Sequence, residues 1–151
     1  MSALVPVKPI FIIPNNPRPE EPLWPRPHGS AGYLLAKMVS AAVGWSEAEY
    51  LQKIERISLC QRLGVRLNLQ CDGPGIEEAR KAAEAVRIRI GGRKAVCIGR
   101  VTQTLFGAPE EPLVWCDGLA YFPHPGRNPW FSDPLNFEHA VQFLRELLDA
   151  D

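Results

Sequence analysis

Four short apolar runs bounded by turn residues, each followed by a stretch of helical period, constrain this chain more than any other feature. The runs are "PIFIIP" (residues 9–14), "IERISLC" (54–60), "KAVCIG" (94–99) and "GLAYFP" (118–123). Each has strand length, and the first and third are apolar almost throughout, the pattern of a strand covered on both faces. Ile54 fits either the strand or the turn before it. Between the runs, Ala31, Leu34, Leu35, Met38 and Ala42 fall at helical spacing, and Gly44 stops that helix. "SEAE" at 46–49 is a capping box that opens a second, short helix. Ile76, Ala79, Ala83, Val86 and Ile90 mark one face of another, with Arg80, Lys81, Glu84 and Arg87 outside. "RVTQTLFG" (100–107) is a short helix closed by Gly107. Asp133-Pro134 opens a last one, whose stripe is Phe137, Ala140, Val141, Leu144, Leu147 and Leu148.

Strands alternating with helices predict an α/β fold, three-layer αβα with a four-stranded, mostly parallel sheet. Length suits one domain over residues 1–151. Ligands of such sheets bind beyond the carboxyl ends of the strands. The loops expected there are 14–29, the turn after Cys60, Gly99–Arg100 and 123–134. Three of these four are unusual. Proline reaches 15 residues, about twice the ordinary share, and it crowds into 6–27 and 109–134. Stiff loops therefore fall where function is expected.

Formal net charge is zero, so no global field draws the chain to nucleic acid or membrane. Any nucleic-acid contact must come from a local patch. No run approaches the roughly 18 apolar residues of a membrane span, and "MSALVPVKPIFIIP" is too short and too broken by proline to be a signal peptide. A cytoplasmic location is the default expectation, with no membrane partner. The four cysteines, Cys60, Cys71, Cys97 and Cys116, show no C-x-x-C spacing. Cys60 and Cys97 sit in apolar runs and read as small buried hydrophobes. His28 and His139 have no ligand spacing to His124, so no metal site is expected, and no motif calls for a cofactor.

Two loops carry candidate chemistry. "NNPRP" (15–19) directly follows a strand: an Asn there can position a water or grip a ligand amide, or can simply form an Asx turn before proline. In "AYFPHPGRNPWF" (120–131), His124 stands between Pro123 and Pro125, which fix φ on both sides and largely set the direction of the ring. That suits a preorganised hydrogen-bond donor; a His bonded to its own loop is the plainer alternative. Arg127 and Asn128 follow within reach of the same cleft.

Taken in order, these pieces resemble the uracil-DNA glycosylase superfamily, in its small phage- and bacteria-associated branch. "FIIPNNPRP" looks like that family's first motif, a strand running into a Gly-x-Asn-Pro-Gly type loop. "HGSAGYLLAKMVSAAVGWS" is similar to its Gly-x-Ala-Gly helix, and "YLQKIERISLC" to the strand carrying its base-reading Asn. "GRKAVCIGRVTQTLFG" looks like its strand, Gly-Arg and short helix. "YFPHPGRNPWFSDP" is similar to its second motif, His-Pro-Ser-Gly-x-Asn-x-Trp. The resemblance covers about residues 9–148.

The resemblance implies a monomeric DNA-binding enzyme that flips a damaged or deaminated base out of the duplex and hydrolyses its N-glycosidic bond. By position, Asn16 would direct the attacking water and His124 would stabilise the departing base anion. Gly126, Arg127 and Asn128 would enter the minor groove and wedge the vacated space. Trp24 or Tyr33 would stack on the base, and Arg100 would meet a backbone phosphate. The chain departs from the motifs in places. Arg18 stands where the family prefers glycine, and would crowd the pocket floor or bind a phosphate. Ser58 stands in the place of the base-reading Asn, with Asn68 able to replace it in a shifted register. A hydroxyl lacks the paired donor and acceptor of an amide. The alternatives are a catalytically inactive member that binds nucleic acid or a nucleotide in the same cleft, and a hydrolase of free nucleosides or nucleotides.

Overall fold

The structure, a computed structural model, describes residues 8–15, 23–25, 30–60, 76–125 and 129–148. In chain order the elements are β1 (Ile10–Asn15), α1 (Ala31–Val43), α2 (Glu47–Lys53), β2 (Glu55–Cys60), α3 (Ile76–Ile90), β3 (Ala95–Ile98), α4 (Arg100–Phe106), β4 (Leu119–Phe122), a 3-10 turn (Pro129–Ser132) and α5 (Pro134–Leu148). The sheet has the order β2-β1-β3-β4, and every strand pair in it is parallel. The four expected strands are all present. The sheet is parallel throughout, not merely for the most part.

The winding explains the layers. The chain steps from β1 to β2 in one direction, then crosses back over β1 to reach β3 and β4. Crossovers between parallel strands keep one hand, so a reversal of direction moves the covering helix to the other face. The two cores divide in that way. Phe11 and Ile13 of β1, Val96 and Ile98 of β3, and Ala120 and Phe122 of β4 pack with Leu35, Val39, Tyr50, Phe143 and Leu144 from α1, α2 and α5. On the opposite face Ile10, Ile12, Ala95 and Cys97 pack with Ala83, Val86 and Ile90 of α3 and Phe106 of α4. Successive residues of one strand point to opposite faces, so a strand buried on both sides must be apolar at every position. That is why "IFII" and "AVCI" show no alternation.

The helix ends follow the sequence signals. Ser30 caps α1, its hydroxyl accepting from the Tyr33 backbone N–H at 3.1 Å. The capping box of α2 is closed in both directions between Ser46 and Glu49. Lys53, and then the Ser46 backbone N–H, hold the Glu49 carboxyl below its ordinary range. Asp133 Oδ1 accepts from the Leu135 N–H at the start of α5. The expected stripe of α5 is wrong at one position. Phe137 is 40% exposed, whereas Phe143 is buried and stacks on Trp115 at 5.3 Å. The core side of α5 is therefore turned toward the connection between β3 and β4, which long-range packing decides and helical period alone does not.

Candidate functional site

The reversal in strand order leaves a switch point between β1 and β3, where parallel sheets open a crevice at their carboxyl ends. Ile12, Cys97 and Tyr121 are level with one another across β1, β3 and β4. Three residues further along each segment stand Asn15, Arg100 and His124. Adjacent strands lie about 4.8 Å apart, so the ends of β1 and β4 are separated by about 10 Å across the end of β3. The carboxyl ends of β1, β3 and β4 thus lie side by side, at the same edge of the sheet.

Local chemistry fixes the middle of this edge. Gly99 adopts φ 87° and ψ 159°, a conformation strained for any side chain, so that β3 can turn directly into α4. Its N–H donates to the Phe122 carbonyl at 2.9 Å, tying the turn to the end of β4. The exposed Arg100 guanidinium lies over the Tyr121 ring, 4.8 Å from the centroid. A cation–π contact of this kind holds the charge beside the strand end without consuming its donors. His124 is half-buried between Pro123 and Pro125, both buried. The stiff presentation expected from the prolines is therefore anchored in the protein body.

The loop after β1 is pinned at residues 23–25. Leu23 is 1% exposed at φ 55°, in the left-handed region that a branched side chain rarely occupies. The buried Tyr50 hydroxyl donates to its carbonyl at 2.7 Å. Ser30 Oγ donates to the Trp24 carbonyl at 3.4 Å. Gly32 lets α1 pass against this segment: a Cβ there would lie 2.2 Å from the Trp24 carbonyl oxygen and 2.3 Å from that of Leu23. Burial pushes the Tyr50 phenol far above its ordinary value, with Arg56 opposing weakly, so it stays a donor. Nothing in the local sequence marks Tyr50 or Leu23, because their bond spans 27 residues; Gly32 falls within a segment that the family resemblance does single out.

Trp24 and Tyr33 are both half-buried, and the Ser30 hydroxyl at the start of α1 bonds the backbone of each. Ser58 is buried in β2, opposite Ile13 of β1. Ile57 and Leu59 belong to the α3–α4 side, which turns Ser58 to the α1 side of the sheet. The remaining sequence candidates, Asn16, Arg18, Asn68, Gly126, Arg127 and Asn128, lie outside the described residues. Among the described residues no group of three His, Cys, Asp or Glu side chains could hold a metal ion, and no helix is long and apolar enough to cross a membrane. Compared with protein-family models, curated proteins and solved structures, the chain matches none of them.

Proposed function

We propose that this chain is a DNA glycosylase-like protein of the uracil-DNA glycosylase superfamily, acting on a flipped base at the carboxyl edge of its sheet. The observation that carries the reading is the common level of the two motif loops, which leave β1 and β4 about 10 Å apart on either side of the switch point (two strand spacings). A flipped nucleotide between them meets a water-directing Asn16 on one side and His124 on the other. The C1′–N bond breaks with positive charge growing on the sugar and negative charge on the base. His124, fixed between two prolines, donates a hydrogen bond to the base as that charge grows. The water held by Asn16 adds its oxygen to C1′ and gives up a proton, which finally neutralises the base. Arg100 offers its guanidinium to a flanking phosphate, and Arg127 fills the space left in the duplex.

One observation favours the catalytically inactive alternative. By the resemblance, Ser58 stands in the place of the base-reading amide, with Asn68 the alternative in a shifted register, and Ser58 is a buried hydroxyl. A site that reads a base through paired hydrogen bonds discriminates by several powers of ten, so this substitution relaxes base choice or removes catalysis. The deciding experiment is a base-release assay on oligonucleotides carrying uracil, hypoxanthine or xanthine. The proposal expects abasic sites from at least one of them. Tight binding of DNA or of a free nucleotide without release assigns the chain to the inactive alternative.

A further inference from the structure

A groove beside the edge strand of the sheet carries chemistry that the carboxyl-edge site does not use. Its volume is about 390 Å³, within the range of ligand-sized sites. One wall is the segment 111–113, which runs along β4 on the side away from β3. Leu113 donates its N–H to the Tyr121 carbonyl at 2.9 Å there and is held at φ 67°. The other wall is α5, which presents His139 and Glu146 along one stripe over the buried Phe143. Trp130 also lines the groove, and its carbonyl is held by Asn136 Nδ2 at 2.9 Å.

Among the described residues, the lining carries two carboxylates and the imidazole of His139. Glu111 and Glu146 both line the groove and are exposed, and no Lys or Arg lines it among the described residues. Neither carboxylate has an ion-pair partner among the described residues; Glu146 accepts only from Gln142 Nε2, at 3.3 Å. Arg145, the neighbouring cation, does not line the groove and reaches its rim only through Gln142. Its Nε donates to the Ala42 carbonyl at 2.9 Å and its Nη1 to Gln142 Oε1 at 3.0 Å. Two carboxylates without ion pairs, beside an indole and a phenyl ring, complement a cation with an apolar stem.

We propose that this groove docks a basic segment of a partner protein, with an Arg or Lys side chain laid against Trp130 and its charge between Glu111 and Glu146. The stripe from His139 to Glu146 is about 10 Å long at 1.5 Å per residue. It matches about three residues of extended peptide, whose alternate side chains face the same way. A free amine at so open a rim stays largely hydrated and gains little from either carboxylate. The peptide adds stem and backbone contacts along the groove. The inference is independent of the DNA reading, since a phosphate backbone would be repelled by these carboxylates.

The test is a titration of the full chain, followed by amide chemical shifts and calorimetry, with the capped peptide Gly-Arg-Gly-Arg-Gly. Gly-Gln-Gly-Gln-Gly and spermidine serve as the other two arms. Saturable binding of the Arg peptide, with shifts at Leu113, Trp130 and His139, is expected. The double variant Glu111→Gln/Glu146→Gln, altered only at exposed positions, should bind about tenfold more weakly, the scale of two modest surface charge pairs. Equal binding of the Gln peptide, an unchanged affinity in the double variant, or no saturation at millimolar peptide would each overturn the proposal. Spermidine binding as tightly as the peptide would overturn it in favour of a small-amine site.

Discussion

Gly32→Ala isolates the contact that pins the loop after β1. The new Cβ would stand 2.2 Å from the Trp24 carbonyl oxygen, 2.3 Å from the Leu23 carbonyl oxygen and 2.4 Å from the Leu23 carbonyl carbon. All three are backbone atoms, so no rotamer relieves the overlap. If segment 23–25 lifts away, Leu23 loses burial worth about 1.5–3 kcal/mol, and the Tyr50–Leu23 hydrogen bond goes with it, about 0.5–1.5 kcal/mol. Alanine's better helix propensity returns at most about 1 kcal/mol. The net loss is about 2 kcal/mol. In urea, with a slope of about 2 kcal/mol/M, the midpoint falls by about 1 M. Tyr50→Phe removes the hydrogen bond alone and should cost about 1 kcal/mol, more if the Leu23 carbonyl stays dry. Because both changes act on one segment, the double variant should lose less than their sum. A Gly32→Ala midpoint at or above that of the wild type would refute the close approach.

Cys97 gives a pH prediction. Burial, opposed weakly by Arg87, pushes its thiol from 9.0 up to about 12. Folding therefore favours the protonated form, so this contribution is whole below pH 9 and is lost as pH rises from 9 toward 12. One proton corresponds to a slope of about 1.4 kcal/mol per pH unit at most. Tyr50, raised in the same direction from 10.0, adds to the alkaline loss. Denaturation midpoints measured across this range should fall less steeply in Cys97→Ala; an identical pH profile would contradict the assignment. On duplex DNA, phosphate contacts from Arg18, Arg100 and Arg127, with Arg26 of the proline-rich 14–29 loop as a fourth, would give a salt slope of about −3.6, measured by titration at several ionic strengths. A slope near zero would remove phosphate contacts from the account. Arg127→Ala should weaken binding to abasic duplex more than to intact duplex, because a wedge acts only after the base leaves; equal losses would make Arg127 an ordinary phosphate contact.

Much of the fold is legible in short stretches of sequence because its signals are local. The capping box at Ser46 and Glu49, the glycine stops at Gly44 and Gly107, and the unbroken apolar strands each need only a few neighbouring residues. Phe137 and Phe143 show where that reading fails. Both suit an amphipathic helix, and only contacts with Trp115 and Phe122 decide which one is buried. The site divides in the same way. His124 is marked by its flanking prolines, and Gly99–Arg100 by its place at the end of an apolar run. The common level of β1, β3 and β4 is a property of strand register, which no single segment encodes. The bond between Tyr50 and Leu23 joins elements 27 residues apart and leaves no local trace.

The central claim is most directly tested by base release with the wild type and His124→Ala side by side, on oligonucleotides carrying uracil, hypoxanthine or xanthine. Denaturation midpoints of both proteins establish that the variant is folded under the assay conditions. The account predicts release by the wild type, and a rate lower by on the order of 10² or more in the variant, the scale of losing one preorganised donor. Release at the wild-type rate by a folded His124→Ala protein would contradict it.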